Sequence, residues 1–383
     1  MKNVICIILS YIIFFINSNL LSNEDKILKV GLLAPLTGEH AELGKSLLYS
    51  LQLALNEIND EKLFIVPRDA GFNEKEKIKR AIDDIKSQGA RVIIGPVSRE
   101  NFAEAKKHTD ITFISPSNIS PEFENNIISI GVSLESQLLA LIDFIKKRKK
   151  KKTLIMFPKN NYTELIEKKL AKLNLNNIKI FKYSPNPEIL TGEIEVLTNY
   201  AQRKKNLELR KKLFEDKEDE QSLKQLNRLD QLYTLGEVNF DSVIIIDFGN
   251  SLKSVLTSLV YTDVNETKVL FTTVNQWFDE SIFYENTIKT LYYPSINYKE
   301  FKKYNENYFE KFRTYPSEIT ILTYDALGLI YYAWKKNDGI NSINDFSFKN
   351  KIKGKIGTFS FKDKKVIQEL SIYKVEKNKF TKL

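Results

Sequence analysis

The chain has 383 residues, 42% of them hydrophobic and 28% charged, with a formal net charge of +9 at pH 7. That length buries a large core without covalent staples, and the lone cysteine, Cys6, excludes disulfides and cysteine-bound metal from the rest of the chain. Both signs of charge are mixed along it except over 146–152 (KKRKKKK), which reads as a solvated helix end, with an anionic-surface contact as the lesser reading.

After Lys2, residues 4–16 are apolar apart from Ser10 and Tyr11, and charge returns only at Glu24. A positive end, a short apolar run and small residues such as Ser18 after it are the parts of a secretory signal peptide. The run falls short of the roughly 20 residues a membrane-spanning helix needs. Residues 1–22 are therefore expected to be removed on export to the periplasm, with cleavage after Ser18 or Ser22. Cys6 lies too early in the run for a lipoprotein attachment site.

Beyond this leader, β-branched runs alternate with helical patterns. Strands are predicted over 30–34, 63–66, 92–94 and 111–114. The helix after the first strand carries Leu43, Leu47, Leu48, Leu51, Leu55 and Ile58 at the spacing of one buried face. The next is marked by Ile78, Ile82 and Ile85. Further strands are predicted over 153–157, 178–183, 242–246 and 269–272, a helix over 319–334, and short strands over 354–361 and 366–375. Such repeats imply parallel sheets with helices on both faces, and the residues available suit two lobes.

Residues 193–235 break the rhythm, being charged and free of Gly and Pro. They predict two helices of about 20 residues, each about 30 Å long, folded into a hairpin. Its Leu-rich side packs helix on helix, and Arg203, Lys204, Lys205, Arg210, Lys211 and Lys212 face solvent. The insertion is either a projecting docking arm or a hairpin lying flat on lobe two.

Several stretches then point one way: VGLLAPLTG at 30–38 with Gly44, IGPVS at 94–98, ISPS at 114–117, TYDAL at 323–327, and Gly354, Gly357, Phe359, Phe361 and Asp363 in the C-terminal segment. In this order they resemble the leucine-binding-protein superfamily, the type 1 periplasmic binding proteins. The resemblance implies an α/β fold of two doubly wound lobes with parallel sheets and three crossovers. Lobe one would take 27–131 plus 285–338, and lobe two 132–284 plus 339–383. The helical insertion and RDAG at 68–71 look closer to the penicillin-binding-protein-activator-like branch, which implies an envelope partner and a role in cell-wall synthesis. The alternative is the substrate-binding component of an ABC importer, with a permease as partner and an amino acid or other small polar ligand in the cleft.

In amino-acid binders of this fold, lobe-one hydroxyls and N–H groups hold the ligand carboxylate. Ser98, between a strand and a helix, suits that role and equally that of an N-cap. Ser115 and Ser117 lie at the next strand end, where open α/β sheets bind ligand. Ile119 stands where the family pattern has a carboxylate-binding Thr. Asn160 and Tyr162 follow a lobe-two strand and line the cleft or form a plain loop. Where amino-acid binders place a carboxylate, this chain has Asn275, and a neutral amide cannot make the charge-assisted bond an ammonium requires. Asp247 would compensate, or would be a turn residue.

Other chemistry lacks its residues. Five residues rather than four separate Gly38 from Gly44-Lys45-Ser46, so no P-loop is formed. His40 and His108 open no metal spacing, and no G-x-S-x-G elbow occurs. The reading is a binding protein, not an enzyme, with no cofactor, no metal and no nucleic-acid partner.

Overall fold

The computed structural model describes residues 26–118, 122–173, 177–284, 288–355, 357–376 and 378–383. The expected leader at 1–22, Cys6 and Ile119 lie outside the described residues.

The first unit runs β1 (Leu28–Ala34), α1 (Ala41–Ile58), β2 (Leu63–Asp69), α2 (Lys75–Ser87), β3 (Val92–Ile94), α3 (Phe102–Ala105), β4 (Thr112–Ser115) and β5 (Ile127–Ser129). These five strands form one parallel sheet in the order β2-β1-β3-β4-β5. The chain then crosses into α4 (Leu134–Lys147), β6 (Thr153–Pro158), α5 (Thr163–Lys172) and β7 (Ile178–Tyr183). Next come α6 (Pro187–Leu197), α7 (Tyr200–Glu215), α8 (Glu220–Asp230), β8 (Ser242–Ile245), α9 (Gly249–Tyr261), β9 (Leu270–Thr273) and β10 (Leu291–Ser295). It returns to the first unit as α10 (Tyr298–Phe312) and α11 (Ile321–Asn337). The last stretch is β11 (Ile352–Lys353), β12 (Thr358–Lys362), β13 (Lys365–Glu369), β14 (Ser371–Glu376) and β15 (Lys379–Lys382).

The second sheet is ordered β15-β14-β10-β9-β8-β6-β7, parallel from β10 to β7 and antiparallel at β14 and β15. A three-stranded antiparallel sheet, β11-β12-β13, carries the third crossing. Strands β3, β6 and β8 are buried at every residue, as parallel strands covered on both faces should be. The largest core cluster joins Leu47 and Ile330 of the first lobe to Val243 and Phe271 of the second, so the two lobes share apolar packing. Among the described residues no helix is long and apolar enough to cross a membrane.

Two elements differ from the sequence expectation. β10 was not foreseen, because Pro294 within it argues against a central strand. It pairs with β9 and β14, so residues 291–295 are part of the second sheet. The insertion is also smaller than 193–235. Residues 193–197 finish α6, which is fastened to α9 by Thr191 and Ser258, 3.1 Å apart. Asn199 takes a left-handed conformation (φ 51°) that breaks the helix, and the hairpin proper is α7 and α8.

Within the hairpin Arg203 is buried rather than solvated, at 4% exposure. Its guanidinium donates to Thr262 O at 3.0 Å, Thr234 Oγ1 at 2.7 Å, Asp263 O at 3.2 Å and Gly236 O at 3.3 Å. Five donors in a planar fork can satisfy carbonyls left free at helix ends, and this pins the hairpin's root to the end of α9. Leu213, Leu223 and Leu232, expected to pack helix on helix, are exposed. The basic run at 146–152 does end a helix: α4 stops at Lys147, and Arg148 stacks over Phe144 at 5.1 Å and Tyr292 at 5.7 Å.

Candidate functional site

Ligands of open α/β sheets bind beyond the carboxyl ends of the strands, and most of the predicted residues stand there. After β3, the Ser98 hydroxyl lies between the Asn73 side-chain oxygen and the Glu100 carboxylate, 2.6 Å from the latter. The Ser98 hydroxyl draws the Glu100 pKa below its ordinary value. Ser98 caps no helix: α3 begins at Phe102, and its N-cap position is Asn101. A carboxylate of the chain itself thus occupies the hydroxyl that a ligand carboxylate would seek.

After β4, the Ser115 hydroxyl donates to Pro96 O at 2.6 Å and accepts the Ser117 N–H at 3.1 Å, all buried. Ser117 O in turn accepts the N–H of Gly131, in the first crossing, at 3.0 Å. Both serines therefore hold the loops beyond β3 and β4 together.

Asp69 at the end of β2 organises the neighbouring loop, and in the sequence it stands out only as part of RDAG. Its carboxylate accepts Leu36 N at 2.9 Å and Gly71 N at 3.1 Å, takes the Thr37 hydroxyl, and pairs with Lys77 at 2.9 Å. Burial alone would raise its pKa, but Lys77, Thr37 and the two N–H groups outweigh that and hold it at about 2.

In lobe two, Asn160 Oδ1 accepts the Tyr162 N–H at 2.9 Å, and the Asn160 N–H donates to Thr163 Oγ1 at 2.9 Å. This is a turn leading into α5, and the Tyr162 side chain is 65% exposed. Asp247, just beyond β8, accepts the Tyr183 hydroxyl, the Ser251 hydroxyl and the Phe248 N–H, the last at 2.8 Å. Burial, then the Asp247 charge, pushes the Tyr183 phenol far above its ordinary pKa, so it stays a proton donor to the carboxylate. Asp247 is thus held by the chain's own donors.

Asn275 follows β9 and is buried at 3% exposure. Its N–H donates to Gln137 Oε1 at 2.8 Å, and its Oδ1 accepts Ser295 Oγ at 2.8 Å and Trp277 N at 3.0 Å. Gln137 Nε2 reaches Val132 O at 3.0 Å. Asn275 therefore links the first crossing (Val132) to the second (Ser295), a role that no local sequence pattern announces. Among the described residues no cluster of three His, Cys, Asp or Glu side chains is arranged to hold a metal.

Two doubly wound lobes with three crossings and these strand-end loops define the type 1 periplasmic binding fold. Residues 27–173 match the family described as periplasmic binding protein. Among solved structures the chain is similar to LivJ, a branched-chain amino acid transporter substrate-binding protein from Streptococcus pneumoniae in complex with isoleucine. Identity there is 15%, the TM-score 0.52, and coverage 94% of this chain and 100% of that one. Full-length LpoA from Haemophilus influenzae has 12% identity and a TM-score of 0.63 over 93% of this chain, which spans 59% of that protein. The LpoA C-domain, a regulator of PBP1A, has 11% identity and a TM-score of 0.62, with coverage of 93% and 99%. No curated protein matches by sequence.

Proposed function

We propose that the chain is an exported, non-enzymatic binding protein that acts by engaging an envelope protein of the penicillin-binding class; the similar LpoA C-domain is a regulator of PBP1A. The observation carrying this reading is the use of the strand-end polar groups for the chain's own structure. Ser98 is held against Glu100, Ser115 against Pro96, Asp247 against Tyr183 and Ser251, and the Asn275 oxygen against Ser295, while the Asn275 Nδ2 has no partner among the described residues. A free amino acid needs an unoccupied hydroxyl or N–H group for its carboxylate and a free carboxylate for its ammonium. Residues 27–131 with 296–338 would form lobe one and the remainder lobe two, with residues 1–22 removed on export to the periplasm.

The rival role, substrate binding for an ABC importer as in LivJ, requires these groups to exchange their internal partners for ligand. Titration calorimetry with leucine, isoleucine and valine separates the two. Loss of one charge-assisted partner costs about 1.5–3 kcal/mol, and two such losses move a micromolar binder to millimolar or weaker. Binding of the mature chain to a purified penicillin-binding protein from the same envelope, without measurable amino-acid binding, is the expected outcome. Micromolar affinity for any of the three amino acids would install the importer role instead.

A further inference from the structure

The polar knot that Asn275 forms at the crossings extends further. Ser133 Oγ and Ser136 Oγ lie 3.0 Å apart at the start of α4, and Gln368 N of β13 donates to Ser136 Oγ at 3.2 Å. All three crossings therefore meet around α4. Gln368 is 3% exposed, yet neither Nε2 nor Oε1 of its side chain has a hydrogen-bond partner among the described residues. Buried amides are nearly always paired, because leaving such groups unmade is costly. A side chain offering both a free donor and a free acceptor is prepared for something else.

A cavity of about 850 Å³ lies against it, within the range that holds small ligands. Its walls include Ser136 of α4, Ser295 at the end of β10, Lys353 of β11, Lys382 of β15 and Gln368 itself. Gly357 lies beside the amide: a Cβ there would come within 3.4 Å of Gln368 Nε2, so the absent side chain leaves room at that edge. Nearby Lys355 pairs with Glu57, and Lys351 with Glu369. Of the acidic residues on the same walls, Asp143 pairs with Lys147 and Glu369 with Lys351, which leaves Lys353, Lys382 and Glu300 without an ion pair among the described residues, two cations to one anion.

We propose that this hinge cavity binds a short, extended peptide with a free C-terminal carboxylate. In an extended residue the N–H and C=O point the same way. They match a side-chain amide that accepts with Oε1 and donates with Nε2. The carboxylate lies against Lys353 and Lys382, where an ammonium–carboxylate contact adds charge assistance. Because the walls come from all three crossings, an occupant holds the lobes in one setting. The site rests on hinge geometry alone and stands or falls separately from the partner role above.

The test is calorimetric titration of the full mature chain with N-acetyl-Ala-Ala, its C-terminal methylamide and free alanine. The free acid is expected to bind best, the methylamide more weakly and alanine not at all. Gln368→Met keeps the unbranched shape and removes the amide, and is expected to weaken both peptides about tenfold or more, which is the loss of the two hydrogen bonds the amide would make. Lys353→Gln, at an exposed position, is expected to weaken only the free acid. Without ligand, Gln368→Met should melt no lower than the parent, because it deletes a buried unpaired group. Failure of every probe to bind at low-millimolar concentration would mean that the amide is met by water alone and would overturn the proposal. Peptide binding unchanged by Gln368→Met, or abolished by Ser98→Ala, would place the ligand elsewhere and do the same.

Discussion

Asp325 of α11 accepts the backbone N–H of Lys355 at 2.8 Å, and beside it the Lys355 ammonium pairs with Glu57 of α1 at 2.6 Å, so two carboxylates of lobe one fasten this turn of the third crossing. The residue before Lys355, Gly354, lies so close that a Cβ there would collide with Oδ2 of Asp325. The TYDAL stretch and the first glycine of the C-terminal pattern, 29 residues apart in the chain by their numbers, are therefore two halves of one contact. Gly354→Ala should push the turn off Asp325 and lower unfolding stability by about 1–3 kcal/mol, the usual cost of overpacking. Urea denaturation measures it; an unchanged midpoint would show that the turn shifts freely.

Arg203 predicts how the hairpin is attached. Arg203→Ala removes the donors from Thr262, Asp263 and Gly236 carbonyls and the partner 3.6 Å from the Asp263 carboxylate. Lys268 stays 3.6 Å from the Asp263 carboxylate, so the expected loss is that of hydrogen bonds from a charged donor, about 1.5–3 kcal/mol, read as a lower urea midpoint. By contrast, replacing residues 204–233 with a short Gly/Ser linker keeps Arg203 and should shift the thermal midpoint little, since Leu207, Ser222 and Leu229 are the residues buried within that stretch. Failure of the linker variant to fold would make the hairpin part of the lobe-two core.

Acid should loosen the loop that Asp69 organises. Its folded pKa of about 2 lies below the ordinary 3.8, so its stabilisation is complete above about pH 4 and lost as pH falls toward 2. A depression of this size amounts to about 2 kcal/mol. Asp69→Asn should flatten that part of the stability profile between pH 4 and 2, measured by urea midpoints at each pH. A variant that tracks the parent across the window would remove Asp69 from the account.

Tyr183→Phe should cost about 2 kcal/mol, the worth of a hydrogen bond to a charged acceptor, because the buried Asp247 carboxylate would lose one of its donors. The same variant frees one side of Asp247. Weak binding of amino acids appearing only in Tyr183→Phe would show that the phenol keeps an ammonium out. Calorimetry on parent and variant reads this directly.

What the sequence determined by itself was the alternation of elements and hence the fold class. Runs such as 92–94 and 178–183 appear unshifted as β3 and β7. Such runs are readable because strand formation there depends on a continuous or alternating apolar pattern carried by neighbours in the chain. The Pro-containing β10 escaped for the same reason in reverse, since Pro294 speaks against a strand. Only the tertiary structure decided what the polar side chains do. Asn275 meets Ser295 and Gln137, Arg203 meets carbonyls some 60 residues on, and the Gln368 side-chain amide meets no partner among the described residues. A hydrogen bond depends on partners that folding brings together over a few ångströms, and residue type and local spacing carry no record of which partners those will be.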